Sequence, residues 1–287
     1  MKPKMLIFGH GYVGKFLLEY FTKLGWNVCI TSRHKSGDNI IEYNKSSIEN
    51  ALKDVTHIIT TIPPNENGDV VLVDFLNLIE CTTNLEWIGY ISSTAVYGDY
   101  EGHTVYEDSL LKCVSTRGMQ RVVAEEQWRK LCEDRTDLSI FRLAGIYGPG
   151  RSAIDNIKAG TARSIYKEGQ VFSRIHIQDI EHIIHSAITA NKKFEIYNVA
   201  DDYPCATSEV NQFAADLLGV TAPTLEKYEE ANLSVMAAEF YQDNRRVCND
   251  KIKKTLGIKL LYPSFREGLN AIYRDLIQGQ INLKKSI

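Results

Sequence analysis

Met5-Leu6-Ile7-Phe8 runs straight into Gly9-His10-Gly11-Tyr12-Val13-Gly14. Val13, Phe16, Leu17, Tyr20, Phe21 and Leu24 then recur at helical spacing before Gly25. The order is apolar strand, glycine turn, amphipathic helix. A G-x-G-x-x-G in that setting suits the pyrophosphate of a dinucleotide. Gly9 permits the sharp turn out of the strand. Gly11 has no Cβ, so a phosphate can approach the backbone, and Gly14 lets the helix pack close to the sheet. The N–H groups of the first helical turn, with the positive end of the helix dipole, face the phosphates. His10, Tyr12 and Val13 complete the turn, so residues 9–14 are taken together as cofactor-binding.

The 287 residues are 44% hydrophobic and 24% charged, enough for one large α/β domain with an appendage. A net charge of −3 argues against a nucleic-acid surface or a polybasic membrane anchor. No apolar stretch reaches the ~18 residues of a membrane span. The apolar run after Lys4 is too short for a signal peptide. The cysteines (Cys29, Cys81, Cys113, Cys132, Cys205, Cys248) are scattered and form no C-x-x-C pair. They read as reduced residues of a cytoplasmic protein, with neither a metal site nor a disulfide framework. The expected partner is a small-molecule substrate.

Strands and helices alternate, which predicts α/β architecture with a doubly wound parallel sheet. Predicted strands are Met5–Phe8, Asn27–Thr31, Ile40–Tyr43, His57–Ile62 (stopped by Pro63-Pro64), Trp87–Ser92 and Leu138–Leu143. Helices are predicted over Val70–Thr82, with Val73, Leu76 and Ile79 on one face, and over Thr116–Glu133. Beyond residue 150 the pattern is less regular. It suggests a helix at Ile154–Tyr166, a strand at Val171–Ile177, a helix at Asp179–Ala190 and a strand at Ile196–Val199. Two further helices follow: Thr207–Leu218, capped by Thr207 or Ser208 and ended by Gly219, and Ser264–Ile277. Residues 1–150, with 171–200 returning to them, are expected to form the dinucleotide-binding domain. Residues 151–287 are expected to form mainly a smaller substrate lobe.

A dinucleotide-binding unit selective for NAD usually ends its second strand with a carboxylate for the ribose 2′-OH. Here that stretch reads Thr31-Ser32-Arg33-His34-Lys35, with no carboxylate until Asp38. A 2′-phosphate takes charge-assisted bonds from a guanidinium. Arg33 is placed to supply them, helped by Ser32 or Lys35, so NADP is expected, with NAD the alternative.

Four more segments carry a resemblance. Ile91-Ser92-Ser93-Thr94-Ala95-Val96-Tyr97-Gly98 resembles the fifth-strand motif of extended short-chain dehydrogenases/reductases, the NAD-dependent epimerase/dehydratase group. Phe141-Arg142-Leu143-Ala144-Gly145-Ile146-Tyr147-Gly148-Pro149-Gly150 looks like that family's sixth-strand exit, near the nicotinamide. Arg174-Ile175-His176-Ile177-Gln178-Asp179-Ile180 and Tyr197-Asn198-Val199-Ala200-Asp201 resemble its R-I-H-V-x-D-I and Y-N-V-x-D segments. The Pro-Pro pair with Gly68-Asp69, and the stretch Asn244-Arg245-Arg246-Val247-Cys248-Asn249-Asp250-Lys251, are similar to the atypical YeeZ-like branch. The resemblance implies a Rossmann fold, an NAD(P)-dependent oxidoreductase or epimerase-like activity on a small polar or nucleotide-sugar-like substrate, and cofactor contacts from Thr61, Ile62 and Ser92.

The family's acid/base Tyr and its Lys, in Y-x-x-x-K, fall here on Arg117 and Arg121. The helix aligns through Ala124-Glu125. A guanidinium stays protonated and cannot cycle a proton at neutral pH. Arg121 can still bond the cofactor ribose. Ser93 holds the family's Ser/Thr position. Thr94-Ala95 stand where dehydratases carry Asp-Glu. His176 and Tyr147 are the remaining candidates for proton transfer, and Arg174 is a candidate anion contact or ion-pair partner of Asp179 or Glu181. The alternative to an enzyme is a non-catalytic NADP(H)-binding redox sensor or scaffold.

Overall fold

A computed structural model describes residues 2–34, 37–133 and 135–285. Strands β1 (Lys4–Phe8), β2 (Asn27–Ser32), β3 (Ile40–Glu42), β4 (His57–Thr60), β5 (Trp87–Ser93), β6 (Asp137–Leu143) and β7 (Phe194–Val199) make one sheet. Their order is β7-β6-β5-β4-β1-β2-β3, and every neighbouring pair is parallel. Parallel neighbours need crossovers, and apart from the short link from β2 to β3 these contain helices. The helices are α1 (Tyr12–Lys23), α2 (Lys45–Leu52), α3 (Val70–Glu80), α4 (Thr116–Cys132) and α5 (Ala153–Lys158). They continue with α6 (Ile177–Ala190), α7 (Thr207–Leu218), α8 (Val235–Gln242), α9 (Asp250–Leu256) and α10 (Phe265–Lys285).

Both faces of the sheet are covered, which is why β1 reads as an unbroken apolar run rather than an alternation. Met5 and Ile7 pack in a cluster with Val13 and Leu17 of α1, Ile184 of α6 and Ile252 of α9. Leu6 and Phe8 pack in another with Ile48 of α2, Phe75 of α3 and Trp128 of α4. A third cluster, with Ile154, Val210 and Phe265, joins α5, α7 and α10.

Several local expectations are corrected. Val73 and Leu76 are 56% and 39% exposed, because α3 turns Val71, Leu72, Phe75 and Ile79 inward instead. The helical stretch expected from Ile154 stops at Lys158. Gly160 has φ +68°, and Ser164–Tyr166 is a strand paired with Leu225–Lys227. The strand expected over Val171–Ile177 shrinks to Arg174–His176, beside Gly145–Tyr147, and Ile177 already opens α6. Neither Thr207 nor Ser208 caps α7; Ala206 holds that position without a side-chain bond, while Gly219 does close the helix in the left-handed conformation. Strand β4 ends at Thr60, freeing Thr61 for the turn described below. The helix α2 was not foreseen; Asn44 caps it by accepting from the Ser47 N–H at 2.9 Å.

One buried polar network ties the right-hand half of the sheet together. The Ser92 hydroxyl donates to Glu125 at 2.5 Å, and Glu125 holds Arg142 at 2.8 Å. Arg142 donates to the Tyr97 hydroxyl at 3.0 Å, which donates to Asn198 at 2.5 Å. The chain of bonds joins β5, α4, β6 and β7. Removing one partner of a buried ion pair strands the other charge, at a cost of about 3–5 kcal/mol. Glu125→Ala is therefore expected to lower stability by about that amount in urea unfolding. Glu126→Ala, one residue on and fully exposed in its pair with Arg129, is expected to leave the unfolding midpoint unmoved.

Candidate functional site

The sheet reverses its strand order between β1 and β4, and a crevice opens outside the strand ends at such a point. A cleft of about 890 Å³ lies there. Its floor is the turn from β1 into α1. Gly9 has φ +104°, and a Cβ on it would sit 2.7 Å from Thr61 Oγ1. The Gly9 N–H donates to Thr31 Oγ1 at 3.0 Å, while the Thr61 hydroxyl lies 3.0 Å from the carbonyls of both Phe8 and Gly9. A Cβ on Gly14 would collide with the Gly9 carbonyl oxygen. Both glycines are thus demanded by the protein itself.

Gly11 is not. Its φ is −84°, open to any residue, and a Cβ there would meet nothing within 4 Å. A Cβ would stand in open space at a residue that lines the cleft. Gly11 is also the N-cap of α1, with no side-chain cap bond and no acid in the first turn. The leading N–H groups of a helix have no intrahelical acceptors, so this helix end presents donors and partial positive charge. A dinucleotide pyrophosphate fits that cradle.

Tyr12, Val13, Thr61, Ser92 and Arg121 also line the cleft. Tyr12 donates to the Pro149 carbonyl at 3.0 Å, tying α1 to the exit of β6. His10 is half-buried in the turn. Ile62 instead packs into the apolar cluster under β1. Ser32 and Arg33 lie at the end of β2, Ser32 buried and accepting from the His34 N–H at 3.3 Å, Arg33 exposed. Lys35 falls outside the described residues.

Ser93 lines the cleft and accepts the Ala95 N–H at 3.2 Å, which leaves its own proton to donate. Next to it, α4 begins. Ser115 caps it, accepting from the Gly118 N–H at 3.2 Å. A Cβ on Gly118 would lie 2.9 Å from the Ala95 carbonyl, so the first turn of α4 rests on the turn after Ser93. That packing brings both Arg117 and Arg121 to the cleft wall. The Arg121 guanidinium donates to the Ile91 carbonyl.

The other candidates have structural partners. The Tyr147 hydroxyl donates to the Ser264 carbonyl at 3.2 Å, and burial pushes its pKa upward. His176 is 1% exposed and is the N-cap of α6; its Nδ1 accepts from the Gln178 N–H at 3.3 Å. Rings of Tyr147 and Tyr262 stand 5.1 and 4.0 Å away, and burial lowers the imidazole to about 4, so it is neutral at physiological pH. Arg174 pairs with neither Asp179 nor Glu181. It donates to the carbonyls of Phe172 and Cys205 at 2.8 and 3.0 Å. Asp179 accepts the Leu261 and Tyr262 N–H groups at 2.7 and 3.1 Å, anchoring the approach to α10.

Periodicity in the sequence gave no warning of the cleft's far wall, which includes Phe240 of α8, Asp243 and Arg245. Nor did it single out Asp201, 2% exposed, with Oδ1 accepting the Tyr203 N–H at 3.1 Å.

A seven-strand parallel sheet with a glycine turn at its switch point is a Rossmann-type fold. The chain belongs to the NAD dependent epimerase/dehydratase family, whose model matches residues 5–200. It is 26% identical over 283 residues to Protein YeeZ of Escherichia coli (strain K12), covering 91% of this chain and 96% of that protein. The expected likeness to the YeeZ-like branch is borne out. The solved structure of a functionally unknown conserved protein from Silicibacter pomeroyi DSS is 37% identical, with a TM-score of 0.87 over 96% of this chain and 99% of that one. Human epimerase family protein SDR39U1, solved with NADPH, shares the fold at 20% identity and a TM-score of 0.78, covering 94% of this chain and 99% of that one. Among the described residues no helix is long and apolar enough to cross a membrane.

Burial raises the Asp201 carboxyl to about 7, against about 3.9 for an unperturbed Asp. Between those values the folded chain keeps a proton that the unfolded chain releases. The stability linked to this group is therefore full in acid and lost as pH rises towards 7. Asparagine is neutral throughout. The melting temperature of Asp201→Asn minus that of the unmodified protein is expected to grow from pH 4 to pH 7.5 and then level off. Thermal unfolding followed by circular dichroism checks this; a pH-independent difference contradicts it.

Proposed function

We propose that this protein binds NADP(H) across the strand ends and acts as an oxidoreductase or epimerase-like enzyme on a small polar substrate in the same cleft. The observation that carries the reading is Gly11: the fold does not require a glycine there, yet the N-cap of α1, lining the cleft, carries no side chain. Arg33 would meet the 2′-phosphate, since β2 ends on Ser32 and is followed by Arg33 rather than by a carboxylate. Fold relatives solved with NADPH and with NAD support a nicotinamide dinucleotide of either kind; the preference rests on Arg33 alone. Residues 1–150 and 171–200 would carry the dinucleotide, and parts of 151–287 the substrate.

When bound, the nicotinamide supplies hydride transfer. The chain's own residues hold and orient. Ser93 is assigned to donate its hydroxyl proton to the reacting oxygen, and Arg121 to hold the cofactor ribose from α4. No role in proton transfer is assigned to Arg117, which cannot release a proton. A second reading, a dinucleotide sensor without turnover, is favoured by that residue and by the structural partners of Tyr147 and His176. Turnover of any carbonyl or alcohol with NADPH or NADP separates the two.

Calorimetric titration is expected to give tighter binding of NADPH than of NADH. Arg33→Asp should reverse the order through a change of about 1–3 kcal/mol, the worth of one charge-assisted contact. Equal affinities in the unmodified protein would remove the argument. Gly11→Val is expected to leave the circular dichroism spectrum and melting temperature unchanged and to abolish NADPH binding. Undiminished affinity in that variant would place the phosphates elsewhere.

A further inference from the structure

We infer that the cleft has a second anion site, built around Arg117, and that the substrate carries an oxyanion, carboxylate or phosphoryl, which this guanidinium grips. The inference rests on the cofactor reading above and extends it to the other end of the same cleft.

The charge of the cleft is opposite to that of the chain. The chain is net −3, yet among the described residues Arg117, Arg121, Arg151, Arg174 and Arg245 line the cleft against only Glu239 and Asp243. A low-dielectric cleft lined by one sign of charge focuses the field and concentrates ligands of the other sign. Four of these arginines have partners. Arg245 holds Asp243 at 2.8 Å and also donates to the Gly98 carbonyl. Arg174 donates to the two carbonyls named above, and Arg121 to that of Ile91. Arg151 stands over the Tyr12 ring, 5.5 Å from its centroid, at the end where the pyrophosphate would lie.

Arg117 has no hydrogen bond, ion pair or ring contact with any described residue. It is exposed at the cleft wall, one helical turn from Arg121 on the same face. The Arg121 guanidinium is committed to the Ile91 carbonyl, so the donor fork left for an anion on this helix face is that of Arg117. The site is separate from the pyrophosphate cradle. Gly11 follows β1, whereas α4 rests beside the exit of β5, with β4 between. At roughly 4.8 Å per strand that is about 10 Å, so an anion held at Arg117 is not the one held by the N–H groups of α1. Phe240, 60% exposed on the far wall of the same cleft, offers apolar surface that a substrate would cover. A planar guanidinium with a fork of donors matches carboxylate and phosphate alike, which fixes the chemistry of the group and leaves its carrier to the test.

The test is calorimetric titration of the chain, saturated with NADPH, against inorganic phosphate and, separately, against malonate. At least one is expected to bind. Arg117→Gln should weaken that binding at least tenfold and Arg117→Lys by less, with NADPH affinity within twofold of the unmodified protein in both. Stronger phosphate binding assigns a phosphoryl substrate, and stronger malonate binding a carboxylate; either supports the site. Binding of neither anion, or equal binding to Arg117→Gln, overturns it. Should NADPH itself fail to bind, the cofactor reading falls, and the same titrations on the chain alone decide the role of Arg117 by the same criteria.

Discussion

The contact on which the site depends is the one between the Gly9 carbonyl and the backbone at Gly14. With no side chain at Gly14, the first turn of α1 lies directly on the end of β1. That closeness aims the unpaired N–H groups of α1 along the floor of the cleft instead of past it. Thr61 and Thr31 hold the turn from the neighbouring strands by bonding its carbonyls and its N–H. The helix can approach so closely only because β1 is apolar on both faces and its own side chains interleave with α1 on one side and with α3 and α4 on the other. Position, dipole and open space at Gly11 all follow from this one packing constraint.

The opposite half of the cleft depends on a different device. Glu125 and Arg142 are charged residues inside the core, and the low dielectric makes each indispensable to the other. Their network links α4 to β5, β6 and β7, so it sets where α4 lies and hence where Arg117 and Arg121 enter the cleft. Ser92 spends its hydroxyl on this network, while Ser93, its neighbour, faces the cleft. Alternation along a strand gives these adjacent serines opposite tasks.

The elements with a strong local signature were legible in the sequence. The β1–α1 unit, the parallel alternation and the helix Thr207–Leu218 with its Gly219 stop are all present. What was not legible depended on tertiary partners. Apolar spacing alone put Val73 and Leu76 on a buried face, but a hydrophobic helix has more than one apolar stripe, and packing chose the one with Phe75. The segment from Ile154 to Tyr166 has helical spacing that Gly160 interrupts, and its last residues are drawn into a pairing with residues sixty positions away. At the site, Gly11, Tyr12, Thr61, Ser93 and Arg121, far apart along the chain, all line one cleft. Sequence had no means of seeing that Tyr147 and His176 turn to α10 and to the start of α6, because those contacts are made by side-chain direction. Arg142 carried a signal of its own: it stands next to last in the apolar strand β6, and a charge buried there requires a partner.

The most direct test of the account is a crystal structure of the chain grown with NADPH. The account predicts the pyrophosphate against the N–H groups of α1 with one oxygen over Gly11 Cα, the 2′-phosphate within hydrogen-bond distance of Arg33, and the nicotinamide end near Ser93. A dinucleotide bound with its pyrophosphate away from the β1–α1 turn, or an empty cleft at saturating NADPH, would contradict it.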